Sequence, residues 1–139
     1  MFGKKKQPPL KSLIAEGSCL EGDLRFSDGL RIEGEVIGDL LAEQVRPSLL
    51  VISETATVTG QVHADHVIIN GRVVGQVHAR ELLELQPKAR IDGDVSYKAL
   101  EMHQGAVIFG QLKALAAEGV EEEVPMLKLA TSSKQNLAG

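Results

Sequence analysis

Four histidines are the side chains in this sequence best suited to chemistry, and their placement decides how far that suggestion goes. His63 and His78 occupy the same place in two copies of the segment GQVHA, at residues 60–64 and 75–79, and His66 follows closely on the first. Neutral imidazoles bind zinc, but a zinc site needs three or four converging donors and a shell that orients them. Equivalent histidines in successive repeats stack as a surface ladder instead, and no third ligand beyond His66 is evident. The single Cys19 excludes an internal disulfide and any cysteine-based zinc site. A phosphate-cradling G-x-x-x-x-G-K-S/T loop is absent as well. The reading is therefore of a protein with no catalytic residue, no bound metal and no cofactor.

Composition narrows the class further. At 139 residues the chain builds one domain, and aromatic residues are only 3% with no Trp, so its core must consist of Val, Ile, Leu and Ala. That suits a narrow, layered structure. The net charge of −4 leaves no nucleic-acid footprint. No apolar run reaches the length of a spanning helix. Lys4, Lys5 and Lys6 lead into Pro8 and Pro9 rather than into the apolar stretch of a secretion signal, which fits a cytoplasmic protein.

The residues that matter are positioned by a repeat. GQVHA has relatives in GDLRF, GDLLA, GDVSY and GQLKA, anchored on Gly22, Gly38, Gly60, Gly75, Gly93 and Gly110 at intervals of 15 to 22 residues. The longest interval contains residues 44–49 with Pro47, read as a loop inserted into one turn. Within each unit apolar residues alternate with polar ones, as in Ala56, Val58, Val62 and Ala64 against Thr57, Thr59, Gln61 and His63, which is the period of a strand. Each unit offers three short strands separated by corners, and glycine tolerates the corner backbone. The prediction is an all-β, single-stranded β-helix of about six three-sided coils over residues 12–114. At about 4.8 Å per coil the rod is about 29 Å long. Residues 1–11 and 115–139 lack the pattern; the first are read as a disordered tail and the last as a flexible tail, disordered or a short peripheral helix. A β-sandwich of short strands is the alternative, but it gives no reason for GQVHA to recur in register.

On these features the chain resembles the bactofilins: six Gly-x-Val/Leu segments in register, the opening IAEGSCLEGDL at residues 14–24, and the start MFGKKK. The resemblance implies a right-handed β-helix and a bacterial cytoskeletal protein. It further implies nucleotide-independent, non-polar filaments joined head-to-head and tail-to-tail at the inner membrane face, and cell-wall enzymes that synthesise or hydrolyse peptidoglycan as partners in setting cell shape. Competing readings are a left-handed β-helix enzyme, a transferase or a zinc enzyme, and a monomeric solenoid adaptor. The six-residue stepping of acyltransferase rods is not sustained here.

Self-association has a physical basis of its own. A β-helix ends in unpaired backbone groups and an open apolar interior, and most solenoids need polar caps to stay soluble. The expected polymerisation contacts are Leu24 and Phe26 in the first coil and Val107, Phe109 and Leu112 in the last. Phe109 stands at a nominally outward position held elsewhere by Glu21, Ile37, Thr59, Val74 and Asp92. It either meets another subunit or lies under residues 115–130 folding back. Phe26 either serves the opposite end or fills a roomy corner. At the start, Met1 and Phe2 could dip into an anionic bilayer while Lys4, Lys5 and Lys6 meet its headgroups.

Overall fold

The computed structural model describes residues 10–43, 47–115 and 121–123, all of them strand, turn or corner. The chain winds through six coils of three strands each. The first coil is β1 (Leu10–Ile14), β2 (Cys19–Glu21) and β3 (Leu24–Phe26), and the second is β4 (Gly29–Ile32), β5 (Glu35–Ile37) and β6 (Leu40–Ala42). After β7 (Leu49–Ile52) and β8 (Thr57–Thr59), three strands run on through one corner of the triangle and serve two faces each. These are β9 (Val62–Ile69), β11 (Val77–Leu85) and β13 (Val95–Met102), alternating with β10 (Arg72–Val74), β12 (Arg90–Asp92) and β14 (Val107–Phe109). The last coil ends in β15 (Leu112–Leu115), and β16 (Glu121–Glu123) follows it.

One face is a sheet in the order β14-β12-β10-β8-β5-β2, so each strand pairs with its equivalents one coil before and one coil after. The other two faces merge where β9, β11 and β13 turn the corner. Every coil-to-coil pairing is parallel, as a solenoid requires and a hairpin sandwich forbids. The register carries equivalent residues onto one another: Val36, Val58, Val73 and Ile91 form one inward column, and Ile32, Ile52, Ile69 and Leu85 another. All eight are 0% exposed. Burying each such side chain contributes about 1.5–3 kcal/mol, which is the main source of rod stability.

Two of the corners show how the sequence makes the turn. Between the first and second faces Gly38, Gly60, Gly75 and Gly93 adopt φ from 145° to 156°, and a Cβ on any of them would overlap the carbonyl oxygen of the glycine one coil earlier. Beside this glycine stack, aspartates tie the coils together: Asp23 Oδ1 accepts the Asp39 amide at 3.0 Å and Asp39 Oδ1 the Gln61 amide at 2.9 Å. At the corner between the second and third faces Asp65 holds Ser48, accepting its amide at 2.9 Å while Ser48 Oγ accepts the Asp65 amide at 2.9 Å.

Three boundaries differ from the sequence reading. The rod begins with β1 at Leu10 rather than at residue 12. In the segment read as a loop over residues 44–49, Leu49 opens β7 and is 3% exposed, because it lies in register with Gly29 and His66; residues 44–46 lie outside the described residues. Within the segment read as a flexible tail, Leu115 completes β15 and Glu121–Glu123 forms a strand against it.

Candidate assembly interface

The two ends of the rod are where its regular packing stops. In the first coil Ile14, Leu20 and Leu24 take the inward positions that Ile32, Val36 and Leu40 hold one coil further on. The inner three are 0% exposed, whereas the terminal three are only partly covered. The last coil repeats the situation. Leu100, Ile108 and Leu112 stack on Leu83, Ile91 and Val95, yet remain partly exposed, and Met102, above the buried Leu85, is 45% exposed. Each end therefore presents a patch of half-buried aliphatics ringed by strand edges. On the outer surface of the last coil, Phe109 is 66% exposed and borders a groove with Arg72, Arg90 and Asp92.

A family model described as polymer-forming cytoskeletal, that of the bactofilins, matches residues 12–113. The chain belongs to the bactofilin family. Bactofilin BacO of Myxococcus xanthus (strain DK1622) is 22% identical over 111 residues, which cover 80% of this chain and 85% of BacO. Bactofilin BacP of the same organism is 25% identical over 101 residues, 73% of this chain but 40% of BacP, so the match spans well under half of that relative. The structure of the cytoskeletal bactofilin BacA, obtained by solid-state NMR, superimposes with a TM-score of 0.64 at 30% identity, covering 75% of this chain and 95% of BacA. The β-solenoid fold and the membership of a polymer-forming cytoskeletal family are thereby shown.

Within this bactofilin the expected contact residues fall into three groups. Leu24 and Leu112 are inward residues at opposite ends, partly open to solvent. Val107 and Phe109 lie outward on β14, in register with Arg90 and Asp92. Phe26 differs: at 7% exposure it is a core residue. It sits in register with Ala42, in a column continued by Ala64, Ala79, Tyr97 and Ala114, and the small Ala42 next to it leaves room for its ring. The end residues missing from the sequence reading are Ile14, Leu20, Leu100, Met102 and Ile108. Their signal was available, since the alternation marks them inward and their coils are the terminal ones. Met1, Phe2, Lys4, Lys5 and Lys6 lie outside the described residues.

The histidines do stack. His63 and His78 are in register on β9 and β11, with ring centroids 5.4 Å apart and planes tilted by 34°. Partial burial, then the neighbouring His78, lowers the pKa of His63 below its usual value. His66 lies beside Leu82 one coil on, and a different set comes together: Glu84, Glu101 and His103, whose ligand atoms lie within 4.8 Å of one another. His103 Nε2 is 3.4 Å from Glu84 Oε2, with Glu84 and Glu101 opposite each other on adjacent strands. Among the described residues no helix is long and apolar enough to cross a membrane.

Proposed function

We propose that this bactofilin polymerises by stacking its rod end to end into non-polar filaments, without nucleotide. On this reading the filaments lie at the inner face of the cytoplasmic membrane and help place peptidoglycan-synthesising or hydrolysing enzymes. The observation that carries the stacking is the half-exposed apolar interior at both ends, Ile14, Leu20 and Leu24 at one and Leu100, Met102, Ile108 and Leu112 at the other. Stacking buries these side chains and pairs the open strand edges, so burial and backbone hydrogen bonding favour the same contact. Joining like ends generates two-fold, self-complementary interfaces and hence a filament without direction. Purified protein in buffer with a chelator and no nucleotide is expected to sediment as polymer and to show filaments by electron microscopy. Filaments that form only after ATP or GTP is added would sink this reading.

The start of the chain supports the membrane part. Met1, Phe2 and the run Lys4, Lys5, Lys6 combine apolar anchors with cations, each cation worth about 1 kcal/mol at an anionic surface. A single copy binds weakly, but a filament presents many copies at once. Deleting residues 1–6 is expected to leave polymerisation intact and release the protein from anionic liposomes, and high salt should weaken binding of the intact chain. Unchanged co-sedimentation with liposomes after the deletion would rule out targeting by this segment.

A further inference from the structure

The two ends of the rod are not equivalent. Among the described residues, β1, β2 and β3 of the first coil each pair with one strand only, that of the second coil. Among the same described residues, the edge formed by Ala99–Met102 and the edge β14 at the last coil have no outer partner, but β15 has a neighbour on both sides. Its outer partner is β16, antiparallel, with Lys113 opposite Glu123, Ala114 opposite Glu122 and Leu115 opposite Glu121. This is the one antiparallel pairing among the described residues, and it marks a chain that doubles back instead of beginning a seventh coil. The returning strand is three consecutive glutamates, a residue depleted in strands and typical of the charges that blunt sheet edges. Its Glu123 falls in register with the cationic Lys113. The pairing is thus specific in register, short, and built from residues that hold a strand weakly.

We propose that β16 is a displaceable cap that closes the C-terminal end of the rod to stacking, leaving the N-terminal end open. The inference rests on the end-stacking reading above. A subunit stacking on this end needs the same N–H and C=O groups of β15 that β16 occupies, so capping and stacking exclude one another. A symmetric contact would also bring two glutamate strands together, and their repulsion adds to the barrier. Subunits therefore pair first through their N-terminal ends, and filaments extend only from the fraction of chains whose β16 has left β15.

The test uses the full chain with Cys19→Ser, which removes the free, exposed thiol. Lys113→Cys with Glu123→Cys places a disulfide across the directly opposed pair and locks the cap. Glu122→Pro, and separately Glu121→Pro with Glu123→Pro, open it, because alternate residues donate in an antiparallel ladder and one of the two variants must remove a donor. The oxidised, locked chain is expected to lose at least about tenfold in sedimentable polymer and to stop at dimers, with polymer restored by reductant. At least one proline variant is expected to polymerise at lower concentration than the parent. A locked chain that polymerises as well as its reduced form overturns the cap and leaves end stacking standing. A disulfide that forms between chains, or fails to form, likewise overturns it. If neither reduced, locked nor proline chains assemble under any condition, the stacking reading itself falls and the cap with it.

Discussion

Gly75→Ala is expected to lower the melting temperature of the rod by roughly 10–20 °C, far more than the same change at Gly22. Gly75 has φ 145°, and a Cβ there would overlap the Gly60 carbonyl oxygen and come within 2.7 Å of its carbon. Both obstacles are backbone atoms held by the ladder to the next coil, so no side chain can swing aside. The backbone conformation alone costs an L-residue about 1–3 kcal/mol. Prising two coils apart to admit a methyl adds about 1–3 kcal/mol more. A domain of this size has about 5–15 kcal/mol of stability to lose. Gly22 has φ 120° but stands in the first coil, where an added Cβ meets none of the described residues within 4 Å, so only the conformational part remains. Thermal melts followed by circular dichroism decide the matter. Equal losses at the two positions would show that the glycines are set by corner conformation and not by contact between coils.

That difference between Gly22 and Gly75 also explains why the coil count was legible in the sequence. Six glycines recur because each lies on the one before, and the chain has no freedom to shift one without breaking the stack. The inward columns were legible for a similar reason, since a parallel register repeats the alternation from coil to coil. The corner within β9, β11 and β13 was not. Asp65 and His66, or Arg80 and Glu81, interrupt the alternation of apolar and polar residues, yet strand pairing continues past them through a register shift in the β11 pairings. β16 was illegible because three glutamates carry no strand signal, and the edge of β15 is what makes them a strand. At the ends, position in the alternation was informative and residue type was not. Leu24 and Leu112 are open where the pattern places them, while Phe26, read either as an end contact or as filling a roomy corner, is buried in register with Ala42.

Phe109→Arg is expected to break filaments while the rod keeps its melting temperature. Phe109 points outward from the edge strand β14 and is 66% exposed, so the isolated subunit gains little from its ring. Its value lies in what a stacked subunit places over it. Burying a Phe side chain contributes about 1.5–3 kcal/mol, and a two-fold contact contains the residue twice, giving about 3–6 kcal/mol per interface. At about 1.4 kcal/mol per tenfold, the lost burial alone weakens association by roughly two to four powers of ten. The added guanidinium also shares its groove with Arg72, Arg90 and Asp92, and desolvating it without a partner costs several kcal/mol more. Dimers joined through the N-terminal end should survive. Ile37→Arg supplies the control: Ile37 is 42% exposed in the same outward column, one pairing from Thr59 on β8 and two from Val74 on β10, and lies four coils before Phe109. If contacts run through the ends, that substitution leaves filaments in place. Sedimentation and melting curves of the two variants separate the possibilities, since long filaments from Phe109→Arg would exclude the end contact. Equal loss from Ile37→Arg would instead move the interface to the side of the rod.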